Sequence, residues 1–484
     1  MEKLYHFLTL AAVVLYWVLV AGVTLRVVLK RRSVSVSLSW LLIIYIVPIA
    51  GVAFYFLFGE LNLGRKRAER AQRMFTPFGD WFRQLNHCQV HQPGEVGSPI
   101  HKIDELCNNR MGIPALSGNT LSLQSSPDEI LHSIIEDIEN AQISIKMVFY
   151  IWHPGGLTDS VASALIRAAK RGVDVKVLLD SAGSPRFFKS HWRSMMRDAG
   201  VQVVQALEVS PLRMFLRRLD LRQHRKIIVI DETVAYTGSM NMVDPAHFKQ
   251  GAGVGQWIDV MVRVTGPTVN VLSAIHGWDW EVETGERILP ALPECKVDES
   301  EVKHPVQVVP SGPSMPEYLI LQVLSIAINQ ANRSVRITTP YFVPSADLLE
   351  ILKMTAQRGV NVELVIPHSN DSVMVKWASR AFYTELLEAG VKIYEFYGGL
   401  LHTKSVVIDE EFCLIGTVNI DMRSFWLNFE VTLVVDDVSF TRQLADLQES
   451  YIETSHPVSL DKWQERSLQS RFFERLFYLF NPLL

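Results

Sequence analysis

Two stretches of this 484-residue chain carry the same reactive side chains at the same spacing. The first is His224-Arg225-Lys226, four apolar residues Ile227-Ile228-Val229-Ile230, then Asp231, followed after six intervening residues by Gly238-Ser239-Met240-Asn241. The second is His402-Thr403-Lys404, then Ser405-Val406-Val407-Ile408 and Asp409, followed at the same distance by Gly416-Thr417-Val418-Asn419. On a β-strand, residues two apart point to one face, so His224 sits beside Lys226 and His402 beside Lys404. One such histidine is ordinarily a satisfied core residue. A spacing duplicated through to the asparagine argues for a shared task.

Two such motifs from a repeated chain can meet across a pseudo-twofold axis, with two imidazoles and two ammonium groups around one cavity. Such a cavity suits a phosphodiester. Lysines neutralise the non-bridging oxygens as charge builds on them, and Asn241 and Asn419 can donate further hydrogen bonds. One neutral imidazole attacks phosphorus. The other, protonated, gives its proton to the leaving alkoxide and then serves as base toward an acceptor hydroxyl. Histidine suits both tasks because its ordinary pKa lies near neutrality. The chemistry is ping-pong through a phosphohistidine and requires no metal or other cofactor; the sequence has neither a His-Glu-x-x-His motif nor an aspartate cluster. An attacking histidine needs an orienting carboxylate. Asp231 and Asp409 are candidates, as catalytic members of the motif or as braces at the strand ends. Asp259 and Glu430, each in the strand that follows its Gly-x-x-Asn turn, are the others. The spacing does not say which histidine attacks.

The elements that position these residues also repeat. Residues 130–152 and 319–342 each read as an amphipathic helix and then a strand. Lys170-Arg171-Gly172-Val173 and Gln357-Arg358-Gly359-Val360 each read as a helix end, a glycine cap and a strand, as do Ala199-Gly200-Val201 and Ala389-Gly390-Val391. Strands alternating with helices predict an α/β fold made of two homologous halves, 117–290 and 311–455, joined by a Pro-containing linker at 291–310. The halves differ in one insert. Gly200 precedes His224 by 24 residues, whereas Gly390 precedes His402 by 12, and the extra stretch interleaves Arg213, Arg217 and Arg218 with bulky apolar residues. It could face a lipid surface or pack as an ordinary helix.

Composition places the halves at a membrane. The hydrophobic share is 48%. Residues 4–25 and 33–59 lack Asp, Glu, Lys and Arg, and each is long enough for a bilayer core, which needs about 20 apolar residues. Residues 1–59 therefore predict a two-helix transmembrane hairpin, followed by a basic connector over 60–116. Six basic residues (Lys3, Arg65, Lys66, Arg67, Arg70, Arg73) lie on one side of it and four (Arg26, Lys30, Arg31, Arg32) in its turn, which favours a cytoplasmic catalytic region. The tail, 456–484, is aromatic and apolar and suits either the membrane interface or a cap on the second half. The net charge of -4 gives no nucleic-acid footprint. Cys88, Cys107, Cys295 and Cys413 are scattered and read as free thiols.

The paired His-x-Lys-x4-Asp pattern resembles that of the phospholipase D superfamily. Further stretches, among them Gly253-Val254-Gly255-Gln256-Trp257-Ile258-Asp259, residues 421–430 (Asp421 to Glu430) and the Phe-Tyr-Leu-Phe-Asn-Pro-Leu-Leu ending, are similar to bacterial cardiolipin synthases of the A type. The resemblance spans essentially the whole chain. It implies two phospholipase D-like halves and transfer of a phosphatidyl group from one phosphatidylglycerol to another, giving cardiolipin and glycerol. It also implies His224 as nucleophile, His402 as acid and base, and an acidic residue supporting each motif histidine. Glu430 fits that support position well; Asp259 departs from it in type and in its longer spacer. The implied setting is the bacterial inner membrane, with phosphatidylglycerol and other anionic phospholipids as partners. Hydrolysis by water, transfer to another alcohol and a catalytically silent membrane scaffold are the alternatives.

Overall fold

The computed structural model describes residues 2–30, 34–59, 63–85, 99–208, 218, 220–293 and 305–479. Its contacts divide the chain into two units: Met1–Gly64 with Val209–Asp220, and the remainder.

The first unit is helical. Glu2–Leu29 is one helix of 28 residues, about 42 Å long at 1.5 Å per residue, and apolar enough to cross a bilayer. The second apolar run is not one span. It divides into helices Val34–Ile46 and Pro48–Phe54 and a π-helical turn, Tyr55–Gly59. Pro48 supplies the reason: it has no amide hydrogen, clashes with a preceding turn, and is tolerated where a new helix starts. The two-helix hairpin is thus met in part, by one long helix and a broken second segment. The segments pack together, with Thr24 Oγ1 3.3 Å from the Tyr45 hydroxyl and Trp40 edge-on to Tyr55. Most of the insert, including Arg213 and Arg217, lies outside the described residues; Arg218 pairs with Asp220.

The second unit contains two mixed sheets with one plan. In space the first runs Thr120–Gln124, Met261–Thr265, Val234–Gly238, Ile227–Ile230, Ser144–Phe149, Asp174–Asp180, Gln202–Ala206. The second runs Val306–Ser311, Asn428–Val435, Phe412–Gly416, Ser405–Ile408, Ser334–Thr338, Asn361–Pro367, Lys392–Phe396, and adds Ser455–Pro457 at its edge. The first seven strands correspond one to one, as the sequence repeat requires. Gly172 and Gly359 end equivalent helices with φ of 98° and 96°, a left-handed conformation that glycine adopts without steric cost. The second sheet begins at Val306, inside the stretch expected to be linker.

Two short parallel pairings join the halves. Arg222–Gln223 pairs with Asn428–Phe429, and Leu400–Leu401 pairs with Trp257–Ile258. Each leads directly into a motif histidine, whose amide donates across the junction: His224 to Phe429 at 3.0 Å and His402 to Ile258 at 2.8 Å.

The connector is structural as well as basic. Its helix Arg65–Gln84 lies on helix Thr268–Thr284. Arg67 makes a two-bond ion pair with Glu283, and Arg70 donates to the carbonyls of Val282 and Glu283 at that helix's end. The polar part, 86–98, with Cys88, lies outside the described residues, as does Cys295; Cys107 and Cys413 are buried thiols. In the tail, helix Leu468–Tyr478 docks through buried Glu474, which pairs with Arg466 at 2.9 Å and Arg380 at 3.5 Å. Its outer face leaves Leu468, Phe472 and Leu479 81%, 62% and 65% exposed. Residues 480–484 lie outside the described residues.

Candidate active site

Each motif histidine is held by a carboxylate from the opposite half. His224 Nδ1 lies 2.8 and 2.9 Å from the two oxygens of Glu430, and His402 Nδ1 lies 2.6 Å from Asp259 Oδ1. The crossing follows from the junction pairings, which bring the strand before each histidine alongside the other half's carboxylate strand. A carboxylate that accepts from Nδ1–H fixes the tautomer and leaves Nε2 with its lone pair. All four groups are buried.

Each carboxylate is steadied by the turn of its own half. Ser239 Oγ donates to Asp259 at 2.6 Å while accepting from the Val260 amide. Thr417 Oγ1 donates to Glu430 while accepting from the Val431 amide. Glu430 also receives Asn428 Nδ2 at 3.1 Å. The second oxygen of Asp259 has no hydrogen-bond partner among the described residues.

The lysines are equally buried. Lys226 Nζ donates to the carbonyl of His224 at 2.7 Å, and Lys404 Nζ to that of His402. Burial pushes their ammonium groups down to about 8 and about 7, against the pull of Glu430 on Lys226 and of Asp259 on Lys404. Burial also lowers both histidines to about 4, with Glu430 and Asp259 acting in the opposite direction. For the two carboxyls burial is the largest influence and acts upward, but the histidines, lysines and hydroxyls around them together hold both below the ordinary range. A phosphodiester brings a negative charge to all these groups, and a nearby opposite charge raises the pKa of a cation.

The positions between histidine and lysine stitch the halves together. Arg225 is fully buried, pairs with Asp279 and donates to the carbonyls of Glu430 and Ser311 at 2.9 and 3.2 Å. Thr403 donates to the carbonyl of Ile258. Asp180, which burial pushes up to about 6, accepts from the Gln223 amide and so fixes the approach to His224. Aromatic rings flank the histidines: Tyr150 at 5.1 Å from His224 and Trp257 at 4.3 Å from His402, centroid to centroid. Lys249 lies 5.2 Å from the Trp257 ring and pairs across the halves with Asp371, which accepts from the Tyr341 hydroxyl.

The structure thus assembles His224, Lys226, His402, Lys404, Asp259 and Glu430. Asn241 is anchored through Oδ1 by the Ile151 amide at 3.1 Å and has a buried Nδ2 with no partner among the described residues. Asn419 is buried with Oδ1 in the same state. Asp231 and Asp409 are not brought to the histidines. Asp231 accepts from the amides of Gln142, Ile143 and Ser144 at 2.7–2.8 Å. Asp409 accepts from Asn332, Arg333 and Ser334 at the same distances. Both lie in hairpin turns with φ of 52° and 55°, a conformation aspartate tolerates, five residues or about 16 Å along a strand from the lysine. Of the two roles the sequence leaves open for them, this placement matches the brace at the strand ends of their own halves. Ser239, Thr417, Tyr150 and Trp257 were missed, although a hydroxyl at the same place in both Gly-x-x-Asn turns was a readable signal.

Residues 134–252 and 324–451 match a family model described as "Cardiolipin synthase, PLD-like domain", and residues 14–60 match one described as "Phospholipase D-nuclease N-terminal". The chain is 53% identical to cardiolipin synthase A of Yersinia pseudotuberculosis serotype O:1b and to that of Yersinia pestis, with 100% of each chain covered. Among solved structures it resembles phosphatidylserine synthase from Haemophilus influenzae Rd KW20, with a TM-score of 0.58 and 15% identity over 80% of this chain and 98% of that one. The last likeness concerns the fold alone.

Proposed function

This chain belongs to the cardiolipin synthase family of phospholipase D-like proteins, membrane enzymes that make cardiolipin by phosphatidyl transfer, and from that premise we propose which residues carry the transfer. The donor is phosphatidylglycerol. Lys226, Lys404 and the free amide of Asn241 bind the non-bridging phosphate oxygens, with Asn419 beside them. His224 Nε2 attacks phosphorus while Glu430 holds its Nδ1–H. The bond from phosphorus to the glycerol headgroup breaks, and imidazolium His402 gives its proton to the departing oxygen. A second phosphatidylglycerol then presents its terminal hydroxyl. His402 takes that proton, the oxygen attacks phosphorus, and the nitrogen–phosphorus bond breaks to free His224. The products are cardiolipin and glycerol.

One observation carries the reading: each histidine has its Nδ1 committed to a buried carboxylate of the other half, with buried lysines from both motifs in the same site. The assignment of roles rests on how the two pairs differ. Glu430 is saturated with donors. Asp259 keeps an oxygen without a partner among the described residues, so more of its charge acts on His402 and favours imidazolium. Trp257 against His402 acts in the same sense, since an indole face attracts a cation.

The setting is the inner membrane, with the catalytic unit on the cytoplasmic side, supported by the excess of basic residues flanking the apolar runs on that side. The outward apolar face of helix Leu468–Tyr478 supports contact with the bilayer surface. Purified full-length protein in phosphatidylglycerol vesicles tests the function: cardiolipin and glycerol should appear in equal amounts, whereas phosphatidic acid as main product would place the chain with the hydrolases. A reporter fused at Leu484 tests the topology; activity of a periplasmic reporter would overturn it.

A further inference from the structure

We propose that a second phospholipid site, separate from the catalytic one, lies under the connector helix. Its occupant is an anionic phospholipid, one acyl chain inside and the phosphate at the mouth. The reading takes from the proposed function only the class of lipid around the enzyme.

A cavity of about 420 Å³ lies between helices Arg65–Gln84, His101–Met111 and Thr268–Thr284. That volume is within the range of small-molecule pockets, roughly 300–1,000 Å³. Its wall is apolar: Phe75, Phe78, Phe82, Met111, Trp278 and Met315. Phe75 and Phe78 meet Trp278 edge-on, with centroids 5.3 and 5.1 Å apart. Phe75 remains 51% exposed, which a ring in a finished core would not be. Gly79 lines the same cavity from inside its helix, and a Cβ built there would meet nothing within 4 Å. A glycine in a helix interior costs about 1 kcal/mol relative to alanine. Here it keeps open a space that any side chain would begin to fill.

Charge at the wall selects the headgroup. Arg83 and Arg110 both line the cavity. Arg83 is exposed and, among the described residues, pairs only with Asp80 one turn away and the Gly79 carbonyl. Arg110 donates to Gln322 and to the Glu317 carbonyl, both neutral acceptors. An exposed pair of that kind contributes at most about 1 kcal/mol, so a phosphate can replace it; guanidinium groups bind phosphate through two parallel hydrogen bonds. The helix carrying Gly79 and Arg83 begins six residues after the apolar segment ending at Gly59. None of the lining residues belongs to the His-x-Lys motifs or to the carboxylates that support them.

The test uses the full-length protein in lipid nanodiscs containing phosphatidylglycerol with a photoactivatable diazirine at one acyl end. Cross-linked peptides are mapped by mass spectrometry in wild type, Gly79→Phe, and the double variant Arg83→Gln with Arg110→Gln. Wild type should give adducts on peptides from 65–85, 99–112 or 268–284. Gly79→Phe should lower them at least fivefold, with cross-links near the catalytic site retained. The arginine variant, which changes only polar surface groups, should abolish the preference for phosphatidylglycerol over phosphatidylcholine. Absence of adducts on these helices in wild type, or adducts unchanged in both variants, overturns the proposal. Mapping needs no turnover, so loss of cardiolipin synthesis alone would count against the catalytic reading and leave this result intact.

Discussion

The two halves share a strand plan and a motif, yet they do not offer their histidines the same surroundings. His224 faces a glutamate that also receives Thr417 and Asn428. His402 faces a shorter aspartate that receives Ser239 and keeps one oxygen without a partner among the described residues. Where the second half has Asn428 two residues before its carboxylate, the first has Trp257, which lies over His402 instead of bonding to Asp259. Duplication gives two equivalent places. A two-step transfer needs a nucleophile and a proton carrier, and in the proposed assignment the difference in type and saturation of the carboxylates separates them.

The comparison breaks most visibly at what the halves have in common. Lys226→Met and Lys404→Met should each lower kcat by roughly 10²–10³-fold, the usual loss when one stabilising cation or donor leaves a developing oxyanion. The sign with pH follows from burial. The ammonium groups fall to about 8 and about 7 in the free enzyme, so kcat/KM should decline as pH rises through that range and the phosphate loses its counter-charge. On the acid side it should decline toward about 4, where the histidine nucleophile becomes protonated; His402, at the same value in the free enzyme, takes up its proton with the phosphodiester bound, whose negative charge raises it. A kcat/KM profile flat from pH 6 to 9 would contradict this account.

The next effect separates the two carboxylates. Glu430→Gln and Asp259→Asn should each slow cardiolipin formation by roughly 10²-fold, within the range for acid–base catalysis. With a p-nitrophenyl phosphatidyl ester the leaving group needs no proton. First-turnover release of p-nitrophenolate by Asp259→Asn should then recover to within about tenfold of wild type, whereas Glu430→Gln should remain slow. Equal recovery of both would erase the distinction.

The smallest catalytic effect should belong to the strand-end pair, Asp231 and Asp409. Asp231→Ala and Asp409→Ala should each cost stability of roughly 1.5–3 kcal/mol, because backbone amides lose a charged acceptor. Thermal unfolding would show it, and kcat per folded molecule should not change. A kcat loss with stability intact would return these aspartates to the site.

The repeat was legible because it was local. Helix, glycine cap and strand recur with matching residues, and the two seven-strand orders follow. Glu430 was legible because it follows a Gly-x-x-Asn turn at the expected place. The crossing was not, since nothing in the sequence says that Arg222–Gln223 pairs with residues more than 200 positions away. Strand Val306–Ser311 was hidden by Pro305 just before it and Pro310 within it, which read as linker. Pro48 was in plain view within the second apolar run; hydrophobic length outweighed it in the reading, and backbone chemistry outweighed length in the fold.

The most direct measurement is a quench experiment with phosphatidylglycerol labelled in its phosphorus. Wild type, His224→Ala and His402→Ala are mixed with labelled vesicles, denatured within the first turnover and mapped for covalent label. The account predicts label on His224 in wild type, label retained or accumulated there in His402→Ala, and none in His224→Ala. Label on His402 in His224→Ala would reverse the assigned roles.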